Sequence, residues 1–102
     1  MTLDDLLQDI YALEDEMRTF ERKYGIFSET FYEFYTNGEE PPDEAWTQSW
    51  TAWASAYSLW LRRRQQYRAA IGHLRAQART TADMIAETAR HDPIPVPRSL
   101  AG

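Results

Sequence analysis

The chain has 102 residues, a formal charge of −5 at neutral pH, 14% aromatic residues, four glycines and no cysteine. That length allows one domain with a single modest core, and an aromatic-rich, glycine-poor composition favours packed helices over a turn-rich β fold. Without cysteine, disulfides and thiolate chemistry are excluded, which suits a reducing cytoplasmic setting.

The charge is unevenly spread. Residues 1–50 hold thirteen acids against three bases, and residues 51–102 hold eight bases against three acids. Such a split suits two halves folded back on each other as a helical hairpin, or a charged partner at one end. Thr2, Asp4 and Asp5 open the chain without a basic segment, so no signal peptide is expected.

The first helix is predicted over residues 3–24, with Thr2 as N-cap and Asp5 at the capping-box position. Leu3, Leu6, Ile10, Leu13, Met17, Phe20 and Tyr24 follow a heptad spacing of the coiled-coil type. Six acids and no base lie between Asp4 and Glu16, a solvated face that could also meet a positive partner surface. Gly25 is placed to end the helix in a left-handed C-cap.

A short second helix is expected over residues 28–37, with Ser28 as its N-cap. Phe27, Phe31, Phe34 and Tyr35 would form its apolar face, and Tyr32 would point away. Asn37-Gly38 stops it, and Glu39-Glu40-Pro41-Pro42 makes a stiff acidic connection.

Asp43 is a suitable N-cap for a third helix. The run from Ala45 to Leu61 carries no charge and contains all four tryptophans, Trp46, Trp50, Trp53 and Trp60. With Tyr57 they fall within an arc of about 80° on a helix. The run spans only about 25 Å and includes several Ser and Thr residues, so it is too short and too polar to cross a bilayer. Its rings are instead expected to form the core of a three-helix fold. The heptad continues through Arg64, Tyr67, Ile71, Leu74, Ala78, Thr81 and Ile85, which predicts one long helix over residues 44–90, with Gly72 as the place for a bend. At about 70 Å this helix is twice as long as the first, at about 33 Å. Its second half is therefore left for solvent, another chain or fraying.

Pro93, Pro95 and Pro97 alternate with Ile94 and Val96, so residues 92–102 read as an extended tail beyond a single helical domain of residues 1–91. The apolar residues between the prolines could dock in a partner groove.

Catalytic chemistry is not evident. His73 and His91 have no carboxylate at metal-binding helical spacing, and no phosphate loop, nucleophile motif or zinc signature occurs. No enzyme activity, cofactor or metal is therefore expected. Arg62, Arg63, Arg64, Arg68, Arg75 and Arg79 form a basic sector that could contact phosphate, but the domain is acidic overall, so direct nucleic-acid binding is disfavoured.

The stretch from Glu21 to Tyr35, continuing to Gly38-Glu39-Glu40, resembles a family of small bacterial and archaeal helical proteins. Those carry an E-x-K-Y-G-x-x-S-E-x-F-Y pattern, then G-E and a tryptophan-containing helix. They look like antitoxin-type partners commonly encoded beside a small toxin. The resemblance covers roughly residues 10–62; Pro41-Pro42 and the length beyond Leu61 depart from it. It implies a non-catalytic protein that masks the functional surface of a cognate toxin or another neighbouring-gene product.

Asp4, Asp9 and Glu16 on the first helix, Arg63, Arg64, Arg68 and Arg75 on the long helix, and Ile94 and Val96 in the tail are the candidate partner-binding residues. Two alternatives remain open at this point. One is a self-assembling structural or adaptor protein, a homodimer or higher oligomer. The other is a nucleic-acid accessory factor using the Arg62 to Arg79 sector.

Overall fold

The computed structural model describes residues 1–94. Their regular structure is entirely helical: α1 Leu3–Tyr24, α2 Ser28–Thr36, α3 Glu44–Arg75 and α4 Thr81–Thr88. No helix among the described residues is long and apolar enough to cross a membrane.

The helix boundaries follow local chemistry. Thr2 and Asp5 form a reciprocal capping box: the Thr2 N–H donates to Asp5 Oδ2 at 2.8 Å, and the Asp5 N–H donates to Thr2 Oγ1 at 3.2 Å. Gly25 (φ 81°) and Gly38 (φ 93°) take the left-handed conformations that end α1 and α2. The Trp46 N–H donates to Asp43 Oδ1 at 3.1 Å, which caps α3.

The expected single helix over residues 44–90 is corrected to two. Gly72 stays helical; α3 runs through it and ends at Arg75. Thr80 then starts a separate helix. Its Oγ1 accepts from the Asp83 N–H at 3.1 Å, and the Arg79 N–H donates to Asp83 Oδ2 at 3.2 Å. Spacing alone projects an unbroken heptad through this point. A Thr-x-x-Asp capping pair offers the backbone an alternative to the helical ladder, and here it prevails.

Contacts divide the described chain into two compact units, Ala12–Leu61 and Met1–Tyr11 with the described residues from Arg62 on. Helices α1 and α3 each contribute to both. In the first, aromatic unit, Met17, Phe31, Trp50, Trp53, Ala54 and Ala56 form the buried centre. Tyr24 meets Trp46, and Glu14 meets Trp60, so α1 and α3 run antiparallel there.

In the second unit Leu3, Leu6, Ile10 and Ala70 are buried, together with Gln66. Arg63 Nε lies 3.4 Å from Asp9 Oδ2, off-line for a hydrogen bond, while Arg63 Nη1 donates to Gln66 Oε1 at 2.8 Å. The Ile94 N–H donates to the Met1 carbonyl at 3.0 Å and brings the end of the described chain back to its beginning. Val96 and the rest of the proline-rich tail lie outside the described residues.

Candidate partner-binding surface

The aromatic unit is assembled around Trp53, which is only 1% exposed. Phe31 stacks on it at 3.9 Å between ring centroids, Tyr24 at 5.5 Å and Phe20 at 5.8 Å. Edge-to-face contact of Phe31 with Trp50 at 5.5 Å closes one side.

A polar link fixes α2 to this core. The Trp53 indole N–H donates to Ser28 Oγ at 2.8 Å, and the Ser28 hydroxyl donates to Glu21 Oε2 at 2.7 Å. The same carboxylate oxygen accepts the Ser28 backbone N–H at 2.9 Å. Ser28 is therefore not the N-cap of α2. Phe27 holds that position without a side-chain cap, and Glu21 of α1 takes an orphan N–H of the first turn from across the loop. The Glu and Ser of the E-x-K-Y-G-x-x-S pattern are thus partners in holding the fold together.

This link sets the rotation of α2 about its axis. Ser28, Phe31, Tyr35 and Tyr32 lie at about 60°, 0°, 40° and 100° around the helix, so the inward face centres near 50°. Tyr32, expected to point away, packs inward and stacks on Tyr57 at 4.8 Å. Phe27 and Phe34, expected inward, fall at about −40° and −60° and turn outward. Phe27 is 76% exposed and Phe34 55%. Hydrophobic periodicity misses this rotation because the deciding group is a serine.

Exposed apolar surface continues beyond α2. Ile26 is 43% exposed and Trp46, at the start of α3, is 40% exposed. Between Tyr24 and Leu61 there are six acids, Glu29, Glu33, Glu39, Glu40, Asp43 and Glu44, and no lysine or arginine. This segment therefore contributes apolar, aromatic and acidic surface, and the bases beside it come from α1, where Lys23 Nζ lies 5.2 Å from the Tyr24 ring centroid. Tyr57 registers the same surroundings: desolvation, followed by the charges of Glu29 and Tyr32, pushes its phenol above the usual range.

Two clefts open in this unit. One of about 320 Å³ has Glu14, Arg18, Glu21, Glu29, Phe27 and Trp60 among its walls, and the Trp60 indole N–H donates to Glu14 Oε2 at 3.3 Å. The other, of about 150 Å³, lies among Tyr24, Ile26, Phe31, Phe34, Trp46 and Trp50. Trp50 Nε1 and Tyr24 Oη are buried without a hydrogen-bond partner. None of Ile26, Phe27, Phe34 or Trp46 is singled out as a binding residue by sequence patterning. The available signal is the combination of large apolar side chains with a long stretch free of bases.

The residues that patterning does single out are dispersed. Asp4 and Glu16 are exposed on α1, Asp4 accepting from Gln8 Nε2 at 2.7 Å. Asp9 and Arg63 are brought together as an ion pair. Arg64, Arg68 and Arg75 are exposed along α3, and Ile94 is half-buried. A further apolar cleft of about 340 Å³ lies in the second unit, with Leu3, Leu7, Tyr67, Ile71, Met84 and Ile85 among its walls. Among the described residues no group of three or more His, Cys, Asp or Glu side chains could hold a metal ion.

No family model matches the chain, and no curated protein or solved structure matches it.

Proposed function

We propose that this chain is a non-catalytic protein-binding protein, an antitoxin-like inhibitor that masks the functional surface of a cognate toxin. The observation that carries the reading is the acidic aromatic surface of residues 24–61, a segment without Lys or Arg, with Ile26, Phe27, Phe34 and Trp46 exposed on it. Covering the exposed part of each Phe ring contributes about 1–2 kcal/mol of apolar burial, and aromatic side chains are enriched among interface anchors.

The charge indicates what kind of surface would be covered. A toxin that handles RNA presents a basic active surface, and an acidic cover complements it in both steering and register. Glu16, on α1 in the same unit, adds to that sign of charge, and Asp4 carries it in the other unit. The resemblance of the Glu21 to Tyr35 segment to antitoxin-type proteins points the same way.

Co-expression with the neighbouring open reading frame tests this. A stable complex together with relief of growth inhibition is expected; no complex and no relief would sink the reading.

Self-association is the second reading, favoured by the same exposed apolar side chains. Light scattering on the purified protein separates the two. A stable oligomer indifferent to its neighbour favours self-assembly, and a monomer captured by the neighbour favours masking. Steep salt-dependent binding to RNA or DNA would instead favour the arginines of α3 as a nucleic-acid contact.

A further inference from the structure

We propose that the cleft beside Trp46 and Trp50 is an anchor site for one bulky apolar side chain of a basic partner-protein segment. In this arrangement the Trp50 indole N–H donates to a backbone carbonyl of that segment. The inference deepens the protein-binding reading and rests on it.

Three observations carry it. The first is size and lining. A cleft of about 150 Å³ with an aromatic and aliphatic wall suits one leucine, isoleucine or phenylalanine side chain, since an apolar cavity of about that volume takes up benzene. Three of its walls, Ile26, Phe34 and Trp46, are exposed in the free protein, so an entering side chain meets apolar surface at the rim as well as inside.

The second observation is an unused donor. Trp50 is 8% exposed and lines the cleft, yet its Nε1 has no hydrogen-bond partner. Buried indole N–H groups are ordinarily paired, because leaving one unpaired forfeits its hydration without return. Trp53, one helical turn on, shows the ordinary case with its bond to Ser28. The donor is sealed in the free protein, so an occupant reaches it by parting the surrounding side chains, and a backbone carbonyl is the acceptor every peptide segment carries beside its side chain.

The third is charge. Six acids and no base occur between Tyr24 and Leu61, with Glu39 itself on the cleft wall, against one neighbouring base, Lys23, whose Nζ lies 5.2 Å from the ring centroid of the wall residue Tyr24. A segment whose apolar residue is flanked by lysine or arginine is attracted to it. A second copy docking through this same surface would place six acids against six, and a nucleic acid would add phosphates to them, so both are opposed by the same field.

The probe is a phage-displayed library of random twelve-residue peptides selected on the full-length protein, followed by titration of the enriched peptides. Enrichment of one large apolar residue flanked by Lys or Arg is expected, with affinity falling as salt rises. The Trp50 indole resonance, identified by its loss in Trp50→Phe, should move downfield on binding. Trp50→Phe keeps the ring and should weaken binding about fivefold to tenfold, the loss of one hydrogen bond.

Phe34→Glu, on exposed surface where folding is untouched, should weaken binding more than tenfold. The inference is overturned by no enrichment, by enrichment of acidic peptides, by an unmoved Trp50 resonance, or by affinity indifferent to Phe34→Glu. It is also overturned by a dimer that Phe34→Glu dissociates. If the neighbour's complex survives both substitutions, the anchor fails and masking stands. If the peptides bind as described but the neighbour does not, masking fails and the anchor stands.

Discussion

Ser28→Ala is the most exacting test of how this fold is held. The substitution removes one oxygen from a residue that is 3% exposed. Two bonds disappear with it: the one Ser28 Oγ accepts from the Trp53 indole at 2.8 Å and the one it donates to Glu21 at 2.7 Å. The two losses differ in kind. Glu21 still accepts the Ser28 backbone N–H, so its carboxylate keeps a partner. Trp53 does not; its N–H becomes a buried orphan at a cost of about 1–3 kcal/mol. The lost charge-assisted bond adds about 1 kcal/mol, at the low end for its type because the carboxylate is partly hydrated. The expected destabilisation is about 2–4 kcal/mol, which for a domain of this size lowers Tm by roughly 10–25 °C. Urea unfolding followed by circular dichroism measures it. A cycle with Glu21→Gln checks the linkage, because the two substitutions should couple by at least about 0.5 kcal/mol if serine and glutamate act as one unit. A Ser28→Ala effect below about 0.5 kcal/mol, or strict additivity with Glu21→Gln, would refute the reasoning.

Thr80→Ala removes the cap of α4 and should cost about 1 kcal/mol locally; faster amide exchange at Asp83 and the residues after it, with the aromatic unit unchanged, is the expected readout. Tyr57 gives a pH dependence at the alkaline end. Its folded pKa is raised above the ordinary tyrosine value, first by burial, so its contribution is fully present below the unfolded pKa and is lost as pH rises through the folded pKa. Thermal melts between about pH 9 and 11 should therefore show an alkaline loss of stability that Tyr57→Phe reduces. Asp5 behaves oppositely. Its pKa is lowered, first by the backbone hydrogen bond from Thr2 and then by the Thr2 side chain, so the capping contribution is present above the unfolded carboxylate pKa and lost as pH falls through the folded one. Asp5→Asn should weaken low-pH dependence of exchange at the start of α1. Phe34→Glu, finally, should change stability by no more than about 0.5 kcal/mol, because the ring is mostly in solvent; a larger loss in urea unfolding would mean the ring is part of the core.

Much of the fold is legible where spacing and punctuation agree. The α1 heptad, the Thr2–Asp5 box, the stops at Gly25 and Gly38 and the burial of Trp50 and Trp53 all follow from residue types at fixed intervals. The misreadings occur where a polar side chain overrules the apolar pattern. Ser28 turns α2 so that Tyr32 goes in and Phe34 comes out, and Thr80 with Asp83 ends a heptad that would otherwise continue. In both places the decision rests on one or two hydrogen bonds, which periodicity does not register. The candidate surface was illegible for the same reason. Charge blocks draw attention to Asp9 and Arg63, which pair with each other, while Phe27 and Phe34 look like ordinary core residues until the rotation of α2 is known.

The division of labour within α2 bears on how such a protein can change over generations. Ser28, Phe31, Tyr32 and Tyr35 answer to the interior, while Phe27 and Phe34 answer to whatever meets the surface. Replacements on the outer side leave the folding equilibrium within about 0.5 kcal/mol, so they pass the stability threshold that purges most core variants. A lineage can therefore follow a drifting partner by exchanging two side chains on one short helix. Inner-side variants would be lost before their binding was ever tested.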